Sequence, residues 1–179
     1  MDPTSLIDEL IAREGGYVAS PADKSGPTCF GITQAVARAH GYVGAMARLP
    51  RDTAIAIYRA DYWTTPQLDA IGAIAPLVAA ELFDTGVNMG TGTAATFLRR
   101  ALNALNRGGK DYRDVAAVGA IDTPVIAALA AFLRVRGSGA QAVLVKALDA
   151  LQGERYLALA ERRPADEAFL YGWLANRVG

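Results

Sequence analysis

Apolar and polar positions along this chain recur with a helical period almost from end to end. Leu6, Ile7, Leu10 and Ile11 have the spacing that gathers one apolar stripe on a helix, with Thr4 and Ser5 ahead of them as start signals. Gly15 and Gly16 stop this helix, because glycine accepts the left-handed conformation at a helix C-terminus. Thr33 caps a predicted second helix that ends near Gly41, and residues 52–61 form a third. Pro76, suited to a first helical turn, opens a fourth that carries Leu77, Val78, Leu82 and Phe83. Further helices are predicted over 92–105, 124–134 and 140–162, and Pro164 starts a last one reaching about Arg177.

Two stretches break the period. Residues 15–32, GGYVASPADKSGPTCFGI, are rich in glycine, proline and short polar residues, which favour turns over helix. Within them Tyr17-Val18 and Phe30-Gly31-Ile32 read as the two short strands of a hairpin. Asn106–Tyr112, NRGGKDY, is a second, polar loop. The expected fold is mainly α, with a small β-hairpin after the first helix and no internal repeat.

Composition narrows the function classes. A chain of 179 residues with 52% apolar and 20% charged positions is an ordinary globular protein. At this size it buries roughly 70% of its unfolded surface and needs no disulfide or metal to fold. Cys29 is the single cysteine and His40 the single histidine, so no disulfide framework, multi-cysteine metal site or cofactor is expected. No apolar run reaches about 18 residues, so no membrane span is predicted. The opening MDPTSLIDEL has acids where a signal peptide has bases, so the expected place of synthesis is the cytoplasm, without a signal peptide.

Net charge is zero, which argues against nucleic acid as a partner. It divides unevenly, at −4 over residues 1–90 and +4 over 91–179. Either charges cluster by chance, or an acidic part does chemistry and a basic part meets a weakly anionic surface.

The candidate chemistry lies around the first break. Glu14 ends the first helix, where the negative end of the helix dipole disfavours a charged carboxylate, and partial burial pushes the same way. A carboxyl kept protonated is what a general acid requires. The bland alternative is a solvated glutamate before a turn. Asp23 follows in the Pro-Ala-Asp-Lys-Ser-Gly loop and Thr28 lies beyond it. If the hairpin forms, this loop folds back over the end of the first helix. Two carboxylates in separate environments with an adjacent hydroxyl suit hydrolysis of a glycosidic bond. Asp23 also has the plainer reading of an Asx-turn residue.

These residues carry a resemblance. Glu14-Gly15-Gly16-Tyr17, Pro21-Ala22-Asp23 and Thr28-Cys29-Phe30-Gly31-Ile32-Thr33 resemble the opening of glycoside hydrolase family 108, the bacterial and phage N-acetylmuramidases. Tyr58, Tyr62-Trp63, Phe83-Asp84 and Val87-Asn88-Met89-Gly90 look like that family's later blocks. Phe97–Asn103, Val118–Pro124 and Gly172-Trp173-Leu174 with Arg177-Val178 are similar to the peptidoglycan-binding domain that usually follows. The resemblance covers nearly the whole chain. The chain departs from the family at Cys29, where asparagine is favoured. The spacing is also similar to that of phage lysozymes, with eight residues between Glu14 and Asp23, but four rather than five separate Asp23 from Thr28.

The resemblance implies a lysozyme-like fold with a catalytic domain over 1–90 and a helical peptidoglycan-binding domain over 91–179 packed on it. It implies Glu14 as the catalytic acid, with Asp23 and Thr28 as its companions and peptidoglycan glycan strands as partner. The expected enzyme is a monomeric muramidase that cleaves the β-1,4 bond between N-acetylmuramic acid and N-acetylglucosamine. It reaches the wall through a holin-type pore or a dedicated secretion route. Tyr17 is expected either to stack on a sugar ring or to pack in the core, and Asn88 either to bind an N-acetyl group or to cap its helix. Trp63 and Trp173 are expected in the core, Asp84 as a structural hydrogen-bond partner, His40 on the surface and Cys29 as a buried small residue. Two alternatives remain, a wall-binding protein without catalysis and a lytic transglycosylase.

Overall fold

The first helix is tied down before it begins. The Asp2 carboxylate accepts from the Thr4 N–H at 3.1 Å and its hydroxyl at 2.8 Å, and pairs with Arg59 at 2.8 Å. The computed structural model describes residues 1–19 and 26–178. It divides into two compact units, Asp2–Thr65 and, with Met1, Pro66–Gly179.

In the first unit, α1 (Thr4–Glu14) is followed by β1 (Tyr17–Val18), β2 (Thr28–Cys29), β3 (Ile32–Thr33) and α2 (Gln34–Ala39). A 3-10 turn at Met46–Arg48, α3 (Arg51–Arg59) and a π-helical turn at Ala60–Thr64 complete it. The strands form an antiparallel sheet in chain order, pairing Tyr17 with Cys29, Val18 with Thr28 and Cys29 with Ile32. This corrects the expected hairpin. Residues 30–32 are not one strand, because Phe30 and Gly31 are the two central residues of a tight turn joining β2 to β3. Their φ angles of 53° and 74° are the left-handed pair of a type I′ turn. Thr33 caps α2 as expected, its hydroxyl accepting from the Val36 N–H at 3.3 Å. Ile7, Leu10, Ile57 and Trp63 are the largest fully enclosed side chains of this core.

The second unit holds α4 (Leu68–Ile74), α5 (Pro76–Met89), α6 (Thr91–Ala104), α7 (Thr123–Arg136), α8 (Ala140–Arg162) and α9 (Glu167–Arg177). Sequence reading missed α4, which is short and starts from a left-handed Gln67 with φ of 62°. Helix α5 packs against α4, α6 and α8, and α8 against α9. Leu98, Leu102, Leu129, Phe132, Leu144 and Leu148 fill the interior. Each such side chain stabilises the fold by about 1.5–3 kcal/mol.

Two polar residues hold the long connection from α6 to α7. Asn106 is fully buried in the loop that sequence reading marked as a break. Its Oδ1 accepts from the N–H groups of Asp111 and Tyr112, and its Nδ2 donates to the Tyr112 carbonyl and to Asp114. Arg99, on α6, is buried to 2%. It donates to the carbonyls of Ala116 and Ala120 and pairs with Asp122 at 2.9 Å. Asp122 in turn caps α7, accepting from the Val125 N–H at 3.1 Å.

A half-buried acid also sits between α5 and α8. Glu81 accepts from the Thr85 hydroxyl at 3.2 Å, and that hydroxyl is contacted by the buried Gln152 amide at 3.3 Å. Burial first, then the charge of Asp149, push the Glu81 carboxyl up to about 7. Asp149 is itself raised by burial, and Asp84, one turn along α5, pairs with Arg177 of α9 at 3.2 Å. An unfolded glutamate titrates near 4.5, so the folded chain binds the extra proton between that pH and about 7. Stability from this group is therefore complete below pH 4.5 and falls as pH rises through 7. Glu81→Gln is expected to melt above the wild type at pH 8 and level with it at pH 4, in thermal melts across that range.

One stretch, Thr123–Arg162, passes as a membrane span by length and apolar composition alone. The chain turns inside it at Gly137, where φ is 73°. Helix α7, at 14 residues, extends about 21 Å, short of a hydrocarbon core of about 30 Å. Helix α8 carries Lys146, Asp149, Glu154 and Arg155 along its length.

Candidate active site

Glu14 is the last residue of α1, and Gly15 beyond it turns the chain with φ of 76° while its N–H still donates to the Ile11 carbonyl. The carboxylate is exposed, not partly buried as the sequence suggested. One side of it rests against the β2–β3 turn. A Cβ built on Gly31 would lie 2.8 Å from Glu14 Oε2, 2.9 Å from its Cγ and 2.7 Å from Tyr58 Oη. Gly31 is thus required twice, for its positive φ and for the absence of a side chain where Glu14 and Tyr58 converge.

The turn is pinned from both directions. The Phe30 N–H donates to the Gly16 carbonyl at 3.4 Å, and the Phe30 carbonyl accepts from the Tyr58 hydroxyl at 2.9 Å. A bulky residue at positive φ is strained, and these bonds hold it there. Burial, and next the charge of Glu14, push the Tyr58 phenol far above its usual range. Tyr58 therefore stays neutral, a permanent donor beside the carboxylate. Tyr62 packs one helical turn on, with ring centroids 5.8 Å apart. Sequence reading assigned Tyr58 no role, although its place in one of the family-like blocks marked it.

The other expected site residues fall in different places. Thr28 is half-buried in β2, opposite Val18 and Thr33. Tyr17, in β1, is 48% exposed, so its ring is not in the core. Asp23 lies outside the described residues. Asn88 belongs to the second unit, where its Nδ2 donates to both the backbone carbonyl and the carboxylate of Asp84 at 2.8 Å. Asp84 is thus the hydrogen-bond partner the sequence suggested. Cys29 is buried and its thiol is pushed up by burial, as suits a packing residue. His40 is exposed beside Asp61 at 3.0 Å. Among the described residues no group of three or more His, Cys, Asp or Glu side chains is placed to hold a metal.

A helical unit whose first helix ends in an exposed glutamate, braced by a three-stranded sheet, defines the lysozyme-like class of fold. Comparison with known families places the chain within that class. Residues 7–90 match the family Glycosyl hydrolase 108, and residues 93–178 match the family described as Predicted Peptidoglycan domain. Residues 7–90 thus form a glycosyl hydrolase 108 domain and residues 93–178 a peptidoglycan domain, which makes the chain a glycoside hydrolase directed at peptidoglycan. No curated protein matches it. Among solved structures, Brucella abortus SagA is similar in fold, at 21% identity with a TM-score of 0.66 over 96% of this chain and 87% of that one.

Proposed function

We propose that this chain is an N-acetylmuramidase that hydrolyses the β-1,4 bond between N-acetylmuramic acid and N-acetylglucosamine, with Glu14 as proton donor. The observation that carries this reading is the setting of Glu14. Its carboxylate lies beside Gly31 and the Tyr58 hydroxyl on one side and is exposed to solvent on the other, as an acid must be to reach the oxygen of the leaving sugar. Asp23, or a water held by Thr28, acts on the opposite face of the ring. Tyr17 offers an exposed aromatic face to a sugar, and Asn88 an amide to an N-acetyl group. Residues 1–90 supply the chemistry and 91–179 the hold on the wall, the enzyme acting as a monomer. The bond lies beyond the inner membrane, so release by a holin-type pore or a dedicated secretion route goes with this substrate.

The test is digestion of purified sacculi, with the soluble products reduced and read by mass spectrometry. Reducing muramic-acid ends support the proposal. Anhydro ends would make the enzyme a transglycosylase, and reducing glucosamine ends would move the cut to the other bond of the strand.

The brace around Glu14 gives a second check. Gly31→Ala is expected to lower hydrolysis on the order of 10²-fold, because a displacement of about 1 Å costs that much in a positioned group. The loss in stability should be about 1–3 kcal/mol, from the left-handed φ that alanine disfavours and from the crowding of the new methyl against Glu14 Cγ and the pinned Tyr58 hydroxyl. Initial rates and thermal melts of the same preparation separate the two effects. Unchanged rates would show that the turn does not position the acid.

A further inference from the structure

The second unit carries a pocket of which the hydrolytic reading uses only Asn88. It has a volume of about 280 Å³ and is walled by Asn88 and Met89 from the end of α5, Arg155, Tyr156 and Leu159 from α8, and Trp173 and Arg177 from α9. Its floor is aromatic. The Trp173 ring stacks on Tyr156 with centroids 5.2 Å apart and on Phe169 at 6.1 Å, within about 26° of parallel in each case. Tyr156 is buried and Trp173 half-buried, so the stack is anchored in the fold while part of the Trp173 indole stays accessible at the pocket.

The polar groups around that floor are unevenly satisfied. Arg177 is partly neutralised by Asp84 at 3.2 Å. Arg155 is exposed and has no carboxylate partner among the described residues. Both hydrogen bonds made by the Asn88 amide nitrogen go to Asp84, which leaves its Oδ1 as an acceptor at the rim. A cation without a partner, a flat apolar platform and an amide acceptor within one cavity match three groups of a single ligand. These are a carboxylate, the C–H face of a pyranose ring, and the N–H of an acetamido group.

The pocket continues past Arg155. A second hollow of about 350 Å³ shares that residue and runs along α6, lined by Gly92, Thr93, Thr96, Phe97 and Arg100, with Glu154 on the α8 side. Arg100 is likewise exposed and without an acidic partner among the described residues. Two hollows meeting at one arginine suit a ligand longer than one sugar, and the +4 balance of residues 91–179 favours an anionic one.

We propose that this groove, centred on Arg155 and floored by Tyr156 and Trp173, is the binding site for carboxylate-bearing N-acetyl sugar chains. The inference rests on peptidoglycan being the substrate of the chain, and it names where and how the second unit holds the strand. The carboxylate has two sources in a wall fragment, the lactyl group of a muramic acid that has lost its peptide or the acids of a peptide still attached.

The experiment uses the whole chain carrying Glu14→Gln, so that ligands are bound and not cut, with and without Arg155→Ala. Three probes are titrated. They are glycan strands stripped of peptide by an amidase, which expose lactyl carboxylates; the free stem tetrapeptide; and neutral chitotetraose. Binding is read as Kd and as movement of the Trp173 indole N–H resonance. The expected result is that a carboxylate probe moves the Trp173 signal and that Arg155→Ala weakens its Kd about tenfold, while chitotetraose binds poorly to both forms. A response to stripped glycan assigns the sugar's own carboxylate, and a response to tetrapeptide assigns the peptide's. Carboxylate probes that bind equally well without Arg155, or leave the Trp173 resonance in place, overturn the site while peptidoglycan remains the substrate. Failure of the wild-type chain to release anything from sacculi would instead remove the reading on which the site rests.

Discussion

Glu14→Gln is expected to reduce release of soluble fragments from sacculi by 10²- to 10⁴-fold, about the contribution of a positioned general acid. The substitution is nearly isosteric and removes only the ionisable oxygen. Glu14 is exposed and ends its helix, and neither the Gly15 turn nor the Tyr58–Phe30 hydrogen bond depends on its charge. The melting temperature should therefore stay within about 1 °C of wild type, and binding to sacculi should persist. Turbidity clearance, a pull-down on sacculi and a thermal melt of the same sample measure the three quantities. A variant that keeps more than a tenth of the wild-type rate would show that the leaving oxygen takes its proton from another group.

Arg99→Ala has the largest expected effect on stability. The guanidinium satisfies the carbonyls of Ala116 and Ala120 and the carboxylate of Asp122 from a position 2% exposed. Truncation leaves these acceptors without their donor and loosens the residue that caps α7. Removing one partner from such a buried ion-paired network costs about 3 kcal/mol, or roughly 10 °C in melting temperature for a chain of this length. Arg99→Lys should recover only a small part, since an ammonium on a flexible stem cannot present a planar fork to three acceptors. Differential scanning calorimetry of the three proteins decides it. A shift under about 2 °C for the alanine variant would mean that the 115–122 segment keeps its place without the arginine.

These two residues mark the limits of what the linear chain reveals. Glu14 was legible because a helix-period apolar stripe ends on it and a double glycine follows, so local chemistry alone puts a carboxylate at a helix terminus, while its exposure was decided by the tertiary structure. Arg99 was not. It stands on α6 among the apolar residues that face the interior, and only the loop that returns over it shows why a charge is tolerated there. The helices were readable for the same reason as Glu14: period, proline starts and glycine stops are local signals. Where the sequence reading erred, the deciding force was remote. Phe30-Gly31 looks like strand by residue type. It forms a turn because Tyr58, 28 positions on, takes the Phe30 carbonyl, and because Gly31 alone fits against Glu14.

The sequence by itself thus determined a mainly helical protein with a small sheet after the first helix, a carboxylate at that helix's end, and a basic second half. These follow from periodicity, backbone preference and net charge, which need no knowledge of distant neighbours. Only the tertiary structure decided that Tyr58 holds the turn beside Glu14, that Asn88 is held by Asp84 in the second unit, and that Arg155 shares one hollow with Tyr156 and Trp173. Each of those is a meeting of side chains from separate elements. It is fixed by packing and by the need of buried polar groups for partners, and no spacing along the chain encodes it.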